Sequence, residues 1–97
     1  MRDITFGFYD FEKKDFAPKT FHGVEIAGMT GSIAWKEGKP SVHLHAAAAG
    51  PDFAAVGGHV LAAKVGTGSA EITVIAHDKH LERRTDPKLA VDILGLN

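Results

Sequence analysis

A chain of 97 residues makes a single domain, residues 1–97, with a thin core, because independent cores usually take roughly 100 to 200 residues. Eleven basic side chains against twelve acidic ones give a net charge of −1 and a pI near 6.6, which excludes a protein drawn to nucleic acid or anionic lipid by its overall field. Cysteine is absent, so disulfides, thiolate ligands and cysteine nucleophiles are excluded, and histidine and carboxylate remain as metal ligands.

From the N-terminus, Ile4, Phe6 and Phe8 alternate with Thr5, Gly7 and Tyr9, the period of two that predicts a strand over 3–9. This segment lacks a basic stretch followed by an apolar run, so it is not read as a secretion signal. The charged residues 10–15 turn the chain, and 16–21 returns as a second strand, with Pro18 marking an edge position. Val24, Ile26 and Ala27 begin a third extended run. It continues through 32–35 after the stretch Gly28-Met-Thr-Gly31, whose glycines permit a bulge or bend.

Residues 36–40 form a hairpin connection and 41–47 the returning strand. The alanines at 46–49 favour helix by propensity, but the period around them favours strand. A loop at Gly50-Pro51-Asp52 precedes two further β-like runs, 60–65 and 70–76, separated by Gly66-Thr-Gly-Ser69. Asp86-Pro87 opens a short C-terminal helical turn through Leu89, Ala90, Ile93 and Leu94. The expected architecture is thus α+β and β-rich, a bent antiparallel sheet of about six strands with at most one or two short helices. No run approaches the roughly 18 apolar residues of a membrane span, and a cytoplasmic protein is expected.

Three of the six histidines fall in the phrases Val42-His-Leu-His45 and Val56-Gly-Gly-His59. On a strand, residues i and i+2 share a face, so the imidazoles of His43 and His45 can reach one ion while Val42 and Leu44 face away. On a helix the two would diverge by about 200°. Gly57 and Gly58 allow a positive φ or a close backbone approach just before His59, which brings the third ring to the other two. Three neutral imidazoles suit Zn²⁺ and leave a fourth position open. Other divalent transition metals also accept such a set. The opposing reading is a polar edge face, common for an isolated His-x-His pair. Cupins open their first motif with the same pair, but they supply a glutamate a few residues later, where this chain has Ala46-Ala-Ala-Ala-Gly50.

Taken in order, Gly7-Phe-Tyr-Asp10, Val24-Glu-Ile-Ala-Gly-Met-Thr-Gly31, Gly38-Lys-Pro-Ser-Val-His-Leu-His-Ala46, Val56-Gly-Gly-His-Val-Leu61 and the closing Arg83 resemble the PPC domain, the plant and prokaryote conserved domain found beside AT-hooks in plant nuclear proteins. The resemblance implies a compact α/β fold on a strongly bent antiparallel sheet, assembly as a homotrimer, and zinc on the positions matching His43, His45 and His59. It also implies a DNA-binding role, carried in plant members by a separate AT-hook, and this chain contains no Arg-Gly-Arg core flanked by prolines. Family members begin with a strand, a helix and a strand ahead of the Gly-Phe-Tyr-Asp segment. Their absence here implies a truncated PPC-like fold whose open apolar sheet surface demands another oligomer or a partner.

Glu25 sits where the resemblance places an acid, either orienting a histidine through its second ring nitrogen or lying on the surface, and Glu71 has the same two readings. His22, His77 and His80 read as solvated. Lys79, Arg83, Arg84 and Lys88 form the one basic cluster. A phosphate-contacting patch looks like this, but Glu82 and Asp86 interrupt it and no aromatic stacking platform accompanies it, so it reads as a solvated segment. Trp35, Phe6 and Phe8 read as core or interface aromatics. Two functions follow. One is a metal-stabilised oligomeric module of the PPC type, acting in regulation. The other is a zinc hydrolase or lyase, which needs a general base such as Glu25, Asp52 or Glu71.

Overall fold

Alternation decides most of the fold, and the computed structural model, which describes residues 1–95, turns the alternating segments of the first 64 residues into strands. In chain order the strands are β1 (Asp3–Asp10), β2 (Asp15–His22), β3 (Glu25–Lys36), β4 (Lys39–Ala49), β5 (Ala55–Lys64), β6 (Glu82–Thr85) and β7 (Asp92–Gly95). They form one sheet in the order β2-β1-β5-β4-β3-β6-β7. All pairings are antiparallel except β3 with β6, which meet in parallel at Trp35 and Glu82. The sheet is therefore mixed, and no helix occurs among the described residues. None is long and apolar enough to cross a membrane.

The early expectations hold closely. β1 and β2 form the first hairpin, and Pro18 lies on the edge strand β2, where its missing N–H breaks no ladder. The predicted bend in β3 appears as a register shift between Ile26 and Gly28. The alanines at 46–49 are β, two of them buried.

Three expectations are overturned. Residues 70–76 form no strand; the whole of 71–80 is exposed. With every residue of the segment left in solvent, the alternation there has nothing to pack on. The helical turn expected from Asp86 to Leu94 is a single tight turn between β6 and β7. The Asp86 carboxylate accepts from the N–H groups of Lys88 (2.8 Å) and Leu89 (3.0 Å), as a helix cap would. Ala90 then takes a φ of 56°, which ends the turn after one cycle and returns the chain as β7. Finally, β5 begins at Ala55, five residues before the expected start, so Gly57 and Gly58 lie within a strand and not in a hinge loop.

The core lies on one face of the sheet and is small. Ile4, Phe6, Val24, Ala46 and Ala48 are buried, with Met1, Phe21, Ile26, Met29, Val56 and Val60 packed around them. Phe6 thus fulfils its expected role, whereas Phe8 is 81% and Trp35 41% exposed. On the core side of the sheet Ile33 and Val42, direct register partners, also stay exposed. The radius of gyration is 15.0 Å, against about 12.5 Å for a compact chain of this length. Accessible surface is 7654 Å², against about 5,400 Å² for a folded monomer of this mass.

Candidate metal centre

His43 and His45 are both odd-numbered residues of β4, so they share the face opposite Ala46 and Ala48. His59 on β5 is the direct register partner of His45, and cross-strand partners point the same way with Cβ atoms about 5 Å apart. The three rings accordingly form a triangle, with centroids 5.0, 5.1 and 5.4 Å apart. One ligand nitrogen from each lies within 4.8 Å of the others. Around a tetrahedral ion at 2.0–2.1 Å such nitrogens stand about 3.3 Å apart, a closure that ring rotation supplies. The donor set is neutral, nitrogen-only and three in number, and it fits a divalent transition ion.

The two glycines ahead of His59 act as their type suggests, though inside the ladder. Gly58 has a φ of 151°, a conformation side-chain-bearing residues rarely adopt. A Cβ on Gly57 would meet the Ala46 carbonyl oxygen at 2.5 Å. Both permit β5 to pair tightly with β4 and set His59 opposite His45.

Two neighbours complete the site. Phe16 of β2 stacks on the His59 ring at 4.6 Å and 15°. It can do so because Gly7, the other register partner of His59, has no side chain; a Cβ there would stand 2.9 Å from the Phe16 ring. On the opposite flank Arg83 donates from Nη2 to Ser32 Oγ at 2.8 Å, and Ser32 is the register partner of His43. Tyr9 shares the face of Gly7, and its hydroxyl donates to the Leu89 carbonyl at 2.5 Å. β1 and β6 are four places apart in the sheet, so this contact requires the sheet to curl with the histidines on its inner side.

Electrostatics favour the ligating, neutral form of His43 and His59. Burial, then the charge of Arg83, then His45 hold the His43 pKa below its ordinary value. Burial, then His43 and His45, lower that of His59. Metal needs neutral imidazole, so both shifts favour binding.

The remaining sequence candidates separate cleanly. Glu25 pairs with Ala49 at the far end of β3 and is exposed, so it orients none of the three rings. Asp52 accepts from the Ala54 N–H in the β4–β5 turn, and Glu71 lies in the exposed 71–80 segment. His22 bonds Asp3 at 2.6 Å, while His80 bonds Glu82 at 2.6 Å and stacks on Trp35 at 5.8 Å; both are exposed, as is His77. Of the basic cluster, Lys79, Arg84 and Lys88 are solvated as expected, and Arg83 is half-buried. Phe16 and Arg83 are the site residues the sequence did not single out for this role. The signal for Arg83 was parity on a short strand, hidden because 82–85 was not read as one.

The fold and the site define a class: a curved β-sheet protein with a three-histidine cluster on its inner face. The model of the Plants and Prokaryotes Conserved (PCC) domain, also abbreviated PPC, matches residues 1–78, and the chain belongs to that family. A solved structure from Ralstonia eutropha JMP134 is 54% identical and superposes with a TM-score of 0.95, covering 100% of this chain and 67% of its own. One from Bacteroides thetaiotaomicron VPI-5482 is 28% identical, with a TM-score of 0.90 and coverages of 98% and 66%. Both are described as a "putative DNA-binding protein". A "metal-containing protein" from Archaeoglobus fulgidus is 26% identical, with a TM-score of 0.73 and coverages of 95% and 65%. The chain thus spans about two thirds of the length of these structures. No curated protein matches it.

Proposed function

We propose that this chain is a metal-binding module of the PPC type that works as a homo-oligomer, with zinc or another divalent transition ion on His43, His45 and His59, and with a regulatory, DNA-associated role in the cytoplasm. The observation that carries the reading is the convergence of three imidazoles, with His45 and His59 set opposite each other by the β4–β5 ladder and His43 held on the same face of β4 by its pairing with Ser32, and with nitrogens within 4.8 Å. The metal-containing relative from Archaeoglobus supports the ion, and the two relatives described as DNA-binding support the association with DNA. When bound, zinc would cross-link β4 to β5 and offer a Lewis-acidic fourth position.

The extended shape and large accessible surface support assembly, since the exposed apolar residues Phe8, Ile33 and Val42 are the kind that subunit contacts cover. A trimer is the family's expected state. A zinc hydrolase or lyase would need a general base beside the cluster, and Glu25, Asp52 and Glu71 all lie elsewhere.

Elemental analysis of the purified protein, combined with its mass in solution, tests the reading. The expected result is about one transition metal ion per chain in a species of several chains, with the metal lost from the His43→Ala/His45→Ala/His59→Ala variant. Equal metal content in that variant would overturn it. For DNA, a gel shift repeated across a salt series should show weak binding that falls steeply as salt rises, because the net charge of −1 leaves only local cations such as Lys79, Arg84 and Lys88 to contact phosphate.

A further inference from the structure

Arg83 is the one member of the basic cluster that the fold half-buries, and its surroundings are one-sided. Nη2 donates to Ser32 Oγ, while Nε is buried and has no acceptor among the described residues. No carboxylate among them pairs with it. Asp92, the acid close enough to feel its charge, is turned instead to Lys36 Nζ (2.8 and 2.9 Å) and Thr85 Oγ1 (2.8 Å).

The position is as telling as the missing counter-ion. β6 lies two strands from β4, about 9.6 Å at ordinary spacing, and Arg83 points to the histidine face, where Ser32 holds its guanidinium beside His43. A fixed positive charge next to a site for a divalent cation is unfavourable unless an anion sits between them. The cation would have an open fourth position, and a guanidinium presents a planar fork of donors that matches carboxylate and phosphate oxygens.

We propose that Arg83 and the metal on His43, His45 and His59 form a two-point site for a small oxyanion, a carboxylate or a phosphate, with one oxygen on the ion and another on the guanidinium. This rests on the metal reading above. Phe16, stacked on His59 at the opposite flank, closes the other side of the site, so the anion enters from the Arg83 side of the cluster.

Cobalt(II) in place of zinc gives visible bands that respond to the fourth ligand and so reads both parts separately. The cobalt-loaded full chain is titrated at pH 7.5 and constant ionic strength with acetate, with inorganic phosphate, and with acetamide, the neutral isostere of acetate. Wild type should show band shifts with acetate or phosphate and none with acetamide. The Arg83→Gln variant should take up the same amount of cobalt and bind the responding anion at least about tenfold more weakly. An unchanged anion response in R83Q, or acetamide acting as well as acetate, overturns the anion site. Should R83Q fail to fold, the acetate and acetamide titrations of wild type decide alone. If wild type takes up cobalt but no anion shifts its bands, the anion site falls and the metal reading stands. If it takes up no cobalt, both fall.

Discussion

The two ends of the sheet are built in different ways. From β2 to β3 the strands are joined by long antiparallel ladders, eleven register pairs between β3 and β4 alone, and the three histidines are placed by backbone pairing. The β6–β7 hairpin is attached by one parallel register pair, Trp35 with Glu82, and one flanking backbone bond, Trp35 N–H to Leu81 O at 2.9 Å. The rest is side-chain work: Arg83 to Ser32, Lys36 to Asp92 and Tyr9 to Leu89. The candidate ligands thus sit on the part of the sheet with the longest ladders, and the charge that faces them arrives on the part most easily displaced.

Breaking the ladder should have the largest effect. Gly57→Val places a side chain where a Cβ already meets the Ala46 carbonyl oxygen at 2.5 Å, and about 3 kcal/mol of stability or more should be lost. A urea midpoint lowered by that amount, with metal binding lost because His59 is displaced, is the expected result. His45→Ala should separate site from scaffold. The residue is exposed, so the metal-free chain should melt as wild type does, while zinc affinity falls at least about 100-fold, since even outer partners of ligands are worth 10–100-fold. Competition with a chelating dye checks it.

A smaller effect follows from protonation. The folded-state pKa values of His43 and His59 lie below their ordinary value of 6.5. The unfolded chain therefore binds more protons as pH falls through that value, and stability present above about pH 6.5 should decline below it. Thermal melts of the metal-free protein from pH 7.5 to 5 should show the decline, and the triple alanine variant should show less of it. The smallest effect should come from the weakly attached end. Asp92→Asn removes an exposed ion pair to Lys36 worth roughly 0.2–1 kcal/mol. Amide exchange at Trp35 should quicken while that of Ala46 and Ala48 stays unchanged, which would show that the hairpin opens independently of the ladder.

The same division explains what was legible in the sequence. β1, β2 and β4 announced themselves because residues such as Ile4, Phe6, Ala46 and Ala48 must alternate to meet a core. His43, His45 and His59 were readable for the same reason, as parity on a strand fixes a side chain's face. Residues 70–76 alternate equally well but meet no partner, and pattern alone cannot supply one. The β6–β7 hairpin was misread because Asp86-Pro87 caps a turn whether one cycle follows or several, and the left-handed Ala90 leaves no mark in composition. Arg83 was lost with that hairpin. Phe16 was hidden for a different reason: its stacking on His59, two strands over, depends on the empty position at Gly7 on the strand between them.

The alternation along β4 has one more consequence. Odd positions carry the imidazoles and even positions the buried alanines, so sliding this strand by a single residue would bury His45 and turn Ala46 and Ala48 toward water. An ion gripped jointly by β4 and β5 would therefore act as a pin through the alignment of the two strands, and it would secure the hydrophobic side of the sheet without touching it.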